Sequence, residues 1–193
     1  MKKYLLILFT CLSFIAAAQT ENDIRKHYQD VNKRIEESKE HGMEGPLYCN
    51  EWTSNKNMKS WPALGVYQET TSFWYDDDPN HISSKERDPK VVLLKVIVSR
   101  RTASLLTSEE YLYKNGKLVF FFSTEAEEGK QRETRMWFNA KGIFKSTVKA
   151  DDKELTAKDL ATAEYEDFKP RTAEAIKYGK KYQVLFLKSL LDE

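Results

Sequence analysis

Cysteine, glycine, proline and histidine are all scarce in this 193-residue chain, and neither sign of charge prevails. The two cysteines are Cys11, inside an apolar leader, and Cys49, so no intrachain disulfide framework holds the mature fold. The seven glycines are scattered through turn-like positions. That excludes a glycine-rich phosphate loop and a dinucleotide fingerprint, and no Gly-x-Ser-x-Gly elbow or Cys-His pairing marks an activated nucleophile. With 31 Lys+Arg against 30 Asp+Glu, the balance argues against a polyanion recruited by net charge and against a strongly acidic tail. No apolar run reaches the roughly 20 residues that span a bilayer core.

What the chain does have begins at its first residue. Met1-Lys2-Lys3 is a short basic segment, and Tyr4 to Ile15 is apolar apart from Thr10, Cys11 and Ser13. Ala16-Ala17-Ala18 then supplies the small residues of a signal-peptidase site, followed by polar sequence from Gln19. The combination resembles bacterial Sec signal peptides. It implies cleavage after Ala18 and a periplasmic or secreted destination. A lipid-anchored or surface-associated form would have to use Cys11, where Leu8-Phe9-Thr10 is a poor lipoprotein tripeptide. Residues 19–193 then form one domain with 29 basic and 30 acidic side chains, enough for one ordinary core. Cys49 becomes its lone thiol, expected to be buried in a strand.

The hydrophobic period marks the architecture. Thr20 with Asp23 starts a helix whose stripe is Ile24, Tyr28, Val31 and Ile35, stopped by Gly42 and by Gly45-Pro46; His27 borders the stripe. Period-two segments follow at 47–53 and 66–75. Residues 91–98 are apolar on both faces apart from Lys95, which predicts a central strand covered on both sides, on one by the helices and on the other by loops 54–65 and 76–90 or by a partner. Asn115-Gly116 marks a tight hairpin, 118–122 an interior strand, and 132–138 with 143–148 a second hairpin. The Tyr111-Leu112-Tyr113-Lys114-Asn115-Gly116-Lys117-Leu118-Val119 hairpin is similar to hairpins in exported proteins of Gram-negative bacteria, over about a dozen residues. Helical character returns at Thr156 until Pro170 stops it. A last helix from about Thr172 to Leu190 carries Ile176, Gly179, Tyr182, Phe186 and Leu190, with Gly179 allowing close approach to the sheet. The fold class is therefore α+β: a single antiparallel meander-type sheet of five to seven strands, with the N-terminal and C-terminal helices packed mainly on one face.

For function, the aromatic residues carry the clue. Trp52, Trp74 and Trp137 fall on strands, with Glu133 and Arg135 sharing a strand face with Trp137. Amphipathic rings beside charges on a sheet face stack on a sugar, cover an apolar ligand or anchor a protein. This set points to a non-enzymatic binding or interaction module for a ligand or an envelope protein, with no cofactor and no metal assigned. The alternatives are a periplasmic hydrolase, glycan-directed, with Glu133 or a loop aspartate as general acid, and a structural envelope component. Asp76-Asp77-Asp78-Pro79-Asn80-His81 collects oxygen and imidazole donors, without the spacing of a calcium loop. Arg100, Arg101, Arg132, Arg135 and Lys145 form a basic set, but export and a core role for Phe120 to Phe122 argue against nucleic acid.

Overall fold

The computed structural model describes residues 20–77 and 91–190. The leader, and the part of the acidic loop with Asp78, Pro79, Asn80 and His81, lie outside the described residues. Among the described residues nine strands form one antiparallel sheet: β1 (Tyr48–Ser54), β2 (Ser60–Trp61), β3 (Gly65–Asp77), β4 (Val91–Thr102), β5 (Leu105–Lys114), β6 (Lys117–Glu127), β7 (Lys130–Asn139), β8 (Gly142–Ala150) and β9 (Lys153–Glu154). Their spatial order is β1-β3-β4-β5-β6-β7-β8-β9, with β2 also on β3. Two helices flank it, α1 (Glu21–His41) and α2 (Thr172–Leu190). The α+β class and the meander are as the sequence predicts, with seven long strands and two of two residues.

Both helices pack on this sheet, but they do not share a face, which corrects the expectation of one helix-covered side. Adjacent residues of a strand point to opposite faces, and Phe73 and Trp74 separate accordingly. Phe73 packs with Val96, Val98, Tyr111, Phe121, Met136, Tyr182 and Phe186, the face covered by α2. Trp74 packs with Ile24, Val31, Ile35, Leu112, Phe120 and Trp137, the face covered by α1. The reason is in the strands: with both faces apolar, each needs its own cover. Among the described residues, α2 supplies it on one face and α1 on the other.

The amphipathic stripe of α1 is as expected, and so is its capping box. Thr20 Oγ1 accepts from the Asp23 amide at 3.2 Å while Asp23 Oδ2 accepts from the Thr20 amide at 3.2 Å. The helix crosses the strands. Its first turn reaches β8 through Glu21–Lys145 at 2.8 Å, and its later turns reach β3 through Arg34–Asp76 at 2.7 Å. At about 1.5 Å per residue its length is roughly 31 Å, close to the six strand spacings of about 4.8 Å between β8 and β1.

Three further readings change. Residues 91–98 do not alternate strictly: Trp74 pairs with Lys95 but Tyr75 with Leu93, so Leu94 is a bulge. The bulge puts Leu93 on the α2 face with Val96, and Leu94 on the α1 face beside Lys95. Equivalent shifts occur at Leu112/Tyr113 against β6 and at Trp137/Phe138 against β8, each near the start of the bulged strand, where they add local twist. Cys49 is exposed on β1 rather than buried, because β1 is an edge strand. The helix expected from Thr156 is two short 3₁₀ segments, Asp159–Ala161 and Ala163–Phe168, which bury none of their residues and so have no packing to extend them.

Gly179 does allow the close approach. A Cβ there would stand 2.9 Å from Leu118 Cδ2, and Tyr113 donates its hydroxyl to the Gly179 carbonyl at 2.7 Å. Tyr111, Tyr113 and Tyr182 are all buried between the sheet and α2, and burial raises the pKa of each phenol above its ordinary value of 10.0. Burial also pushes Tyr28 up to about 12. A phenol whose folded pKa exceeds its unfolded one stabilises the fold fully below pH 10, and that contribution is lost as pH rises from there toward the folded value. Lys95, lowered by burial, acts with the opposite sign just below its unfolded value of 10.5. Four phenols outweigh one amine. The stability of the protein should therefore fall steeply from about pH 10, by about 1.4 kcal/mol per tyrosine per pH unit. Urea midpoints from about pH 9 to about pH 11.5 check this; a flat profile would contradict the burial of these hydroxyls.

Candidate binding groove between α1 and β6–β8

On the α1 face, cross-strand pairing sets two rows side by side. Phe120 pairs with Trp137 and Trp137 with Lys145; Phe122 pairs with Arg135 and Arg135 with Thr147. Above them α1 presents Glu21, Ile24, Arg25, Tyr28 and Gln29, the three-and-four spacing of one helix face. Between helix and strands lies a groove of ≈ 420 Å³. Its apolar wall is an aromatic chain: Tyr28 meets Phe120 edge-on at 5.3 Å, and Phe120 tilts against Trp137 at 5.2 Å.

The polar rim is charged and paired. Lys145 Nζ lies 5.0 Å from the Trp137 ring centre and 2.8 Å from Glu21, whose other oxygen is 3.0 Å from Arg25. The Lys145 contact is the main reason that the Glu21 carboxyl sits below its ordinary pKa. Arg135 stacks 5.0 Å from the Phe122 ring centre and pairs with Glu133 at 2.7 Å. Each cation thus lies over an aromatic face while a carboxylate pairs with it.

Beside the groove, under α1 on β4 and β5, is a buried polar joint. Lys95, 2% exposed, places Nζ 2.6 Å from Glu110 Oε2, donates to Asn32 Oδ1 at 2.5 Å and lies 4.5 Å from the Tyr28 ring centre. Tyr28 donates its hydroxyl to the same Glu110 oxygen at 2.7 Å. Burial is the leading cause of the lowered Lys95 pKa, with Glu110 opposing it. Next to this joint, His27 Nε2 donates to the Tyr113 carbonyl at 2.9 Å, which gives it the boundary role expected.

The five residues singled out by sequence are therefore divided. Glu133, Arg135 and Trp137 lie together on β7, where Arg135 and Trp137 line the groove and Glu133 pairs with Arg135. Trp74 shares their face but is buried on β3, four strand spacings, or about 19 Å, away. Trp52, on β1, packs edge-on against Phe73 at 5.3 Å on the α2 face, and is 42% exposed. Trp137 itself is buried, so only part of its ring is available to the groove. Lys145 was legible as a cation and Tyr28 as a stripe residue, but nothing in the sequence joined them. The signal that would have done so is the pairing of 137 with 145 across the second hairpin.

The basic set does not make one patch. Arg100 and Arg132 lie on the α2 face, paired with Glu69 and Glu125, each at 2.8 Å, while Arg135 and Lys145 lie on the other. Glu133, the general acid of the hydrolytic reading, is held by Arg135, and the Glu21 carboxyl moves away from the raised value that a general acid needs. Among the described residues no group of three or more His, Cys, Asp or Glu is placed to hold a metal ion, and no helix is long and apolar enough to cross a membrane.

The Lys95–Glu110 joint generates a double-mutant prediction. Lys95→Met should destabilise the protein by about 3 kcal/mol, because it strands a mostly buried Glu110 carboxylate. Adding Glu110→Gln should recover more than half of that loss in urea denaturation, since the uncompensated charge is then gone. Equal losses in Lys95→Met and in the double variant would show that the stranded Glu110 charge is not the source of the loss.

No family model matches the sequence, and neither the curated proteins nor the solved structures provide a match.

Proposed function

We propose that the chain is an exported bacterial binding module whose ligand site is the groove between α1 and β6–β8. The observation that carries this reading is the pairing, in one open groove, of an aromatic wall (Tyr28, Phe120, Trp137) with cations poised over aromatic faces (Arg135, Lys145). Such a site fits a ligand with one apolar or sugar-ring face and a polar or anionic edge. The ring face lies on the aromatic wall, and the edge takes hydrogen bonds from the guanidinium and ammonium groups. The basic, apolar and small-residue succession of residues 1–18 supports export, after which the ligand would be met in the periplasm or outside the cell.

Two measurements test the two halves of this reading. The mass of the protein recovered from a Gram-negative host should correspond to a chain beginning at Gln19; retention of residues 1–18 in a soluble cytosolic form would overturn export. For the site, a broad glycan and lipid screen should yield ligands whose affinity falls about tenfold in Arg135→Ala and in Lys145→Ala, the loss expected for one charge-assisted hydrogen bond. These two side chains are partly exposed, so the variants report on the groove without opening the core, whereas Trp137→Ala would do both. Ligands that bind equally well to both variants would place the site elsewhere.

A further inference from the structure

The two edges of the sheet are finished differently. Beyond β8 the chain turns back as β9, the Leu155 amide donates to the Val148 carbonyl at 2.8 Å, and Leu155 is buried. The opposite edge is β1. Among the described residues it pairs with β3 only, in an unbroken register from Tyr48↔Tyr75 to Ser54↔Glu69. Six of its seven residues are exposed, and Asn50 is the half-buried one. Proteins guard such an edge with lysine, proline, a bulge or a covering segment. β1 contains no lysine or proline, has no bulge, and carries one charge, Glu51.

We propose that β1 pairs antiparallel with β1 of a second copy of this chain, about a two-fold axis through Asn50, so that one sheet continues through both copies. Symmetry restricts the register. With the axis perpendicular to the sheet, one residue stands opposite its own mate and its neighbours pair in reverse order. An axis at Glu51 would set two carboxylates against each other. An axis at Cys49 would oppose Trp52 to Pro46, and one at Trp52 would oppose Tyr48 to Lys56, in each case outside the strand. An axis at Asn50 keeps residues 48–52 of both copies within the strand.

That register is also the one in which the side chains complement each other. Tyr48 of one copy stands opposite Trp52 of the other, twice. Both residues are on the α2 face, 56% and 42% exposed, and each already rests on an inner aromatic of its own chain: Tyr48 on Tyr75 at 5.4 Å, Trp52 on Phe73 at 5.3 Å. The pairing joins these into one aromatic band across the junction, the type of cross-strand contact that stabilises antiparallel sheets. At the axis, an amide that both donates and accepts is complementary to its own mate. Asn50 is already positioned by the Tyr75 hydroxyl, which donates to Asn50 Oδ1 at 3.3 Å. Cys49 falls opposite Glu51, which leaves the two thiols as a diagonal pair with their backbones about 7–8 Å apart.

The test uses the full chain as the cell processes it, carrying Cys11→Ser so that Cys49 is its one thiol. Sedimentation velocity over a concentration series should show a reversible dimer, and a short bis-maleimide should trap it through Cys49. Asn50→Asp retains the acceptor for Tyr75 but places two like charges at the axis. It should raise the dimer dissociation constant more than tenfold and suppress the crosslink, with an unchanged circular dichroism spectrum. Tyr48→Lys, at an exposed position, should do the same and carries the test if Asn50→Asp fails to fold. A chain that stays monomeric to about 1 mM, or a dimer indifferent to both substitutions, would overturn the proposal. The groove lies on β6–β8 at the far side of the sheet, so this outcome is independent of the ligand screen.

Discussion

The contact on which the rest of the molecule depends is the buried pair of Lys95 and Glu110 beneath α1. Taking an ammonium group out of water is costly unless its partners are all in place. Here the partners come from both layers: Glu110 from β5, and Asn32 and Tyr28 from α1. A slide of the helix by one turn, about 5.4 Å, would preserve much of its apolar packing but would remove both Asn32 and Tyr28 from the joint. The hydrophobic stripe thus holds α1 on the sheet, and the polar joint selects where. Because Tyr28 belongs to the joint and to the groove wall alike, the same interaction sets the shape of the proposed ligand site.

The helix covers the face only where it crosses it. Toward the opposite ends of the strands the α1 face carries Thr70, Ser99, Ser108 and Thr124 in successive register across four strands. These short hydroxyl side chains need no cover, which is consistent with one transverse helix being enough. The α2 face solves its problem with fewer charges at the centre and more phenols, and with Gly179 permitting the backbone of α2 to come down onto Leu118 and Tyr113. At its margin, Arg100 joins Glu69 and Glu109, so that the ionic groups on this side remain near solvent.

The two proposed recognition surfaces differ in their physics. The groove offers aromatic rings and held cations for a small amphipathic ligand. The β1 edge offers backbone hydrogen bonding and a symmetric aromatic pair for another strand. They occupy opposite ends of the strand order, with four strands between the β1 edge strand's neighbour β3 and the outer groove strand β8. A dimer through β1 would accordingly carry its two grooves on the same face of the continuous sheet, toward its two distal ends.

The local features were legible because they are set by neighbours in the chain. The Thr20–Asp23 box, the Ile24–Ile35 stripe, the Asn115-Gly116 hairpin and the close approach at Gly179 depend on backbone conformation and on a period that the residue order displays directly. The two-sided apolar character of residues 91–98 already required a cover for each face. Which helix took which face was not legible, since a helix stripe matches either face of a sheet apolar on both sides. Bulges at Leu94, Val119 and Phe144 shift the strict alternation on which face assignments rest, and no local signal marked them. The site followed the same division: Glu133, Arg135 and Trp137 are gathered by one strand's period of two, whereas Lys145 arrives through a hairpin register and Tyr28 through the docking of a helix. The placement of Tyr28 is decided by the cost of burying Lys95 and Glu110 unpaired, a term that exists only once the layers meet.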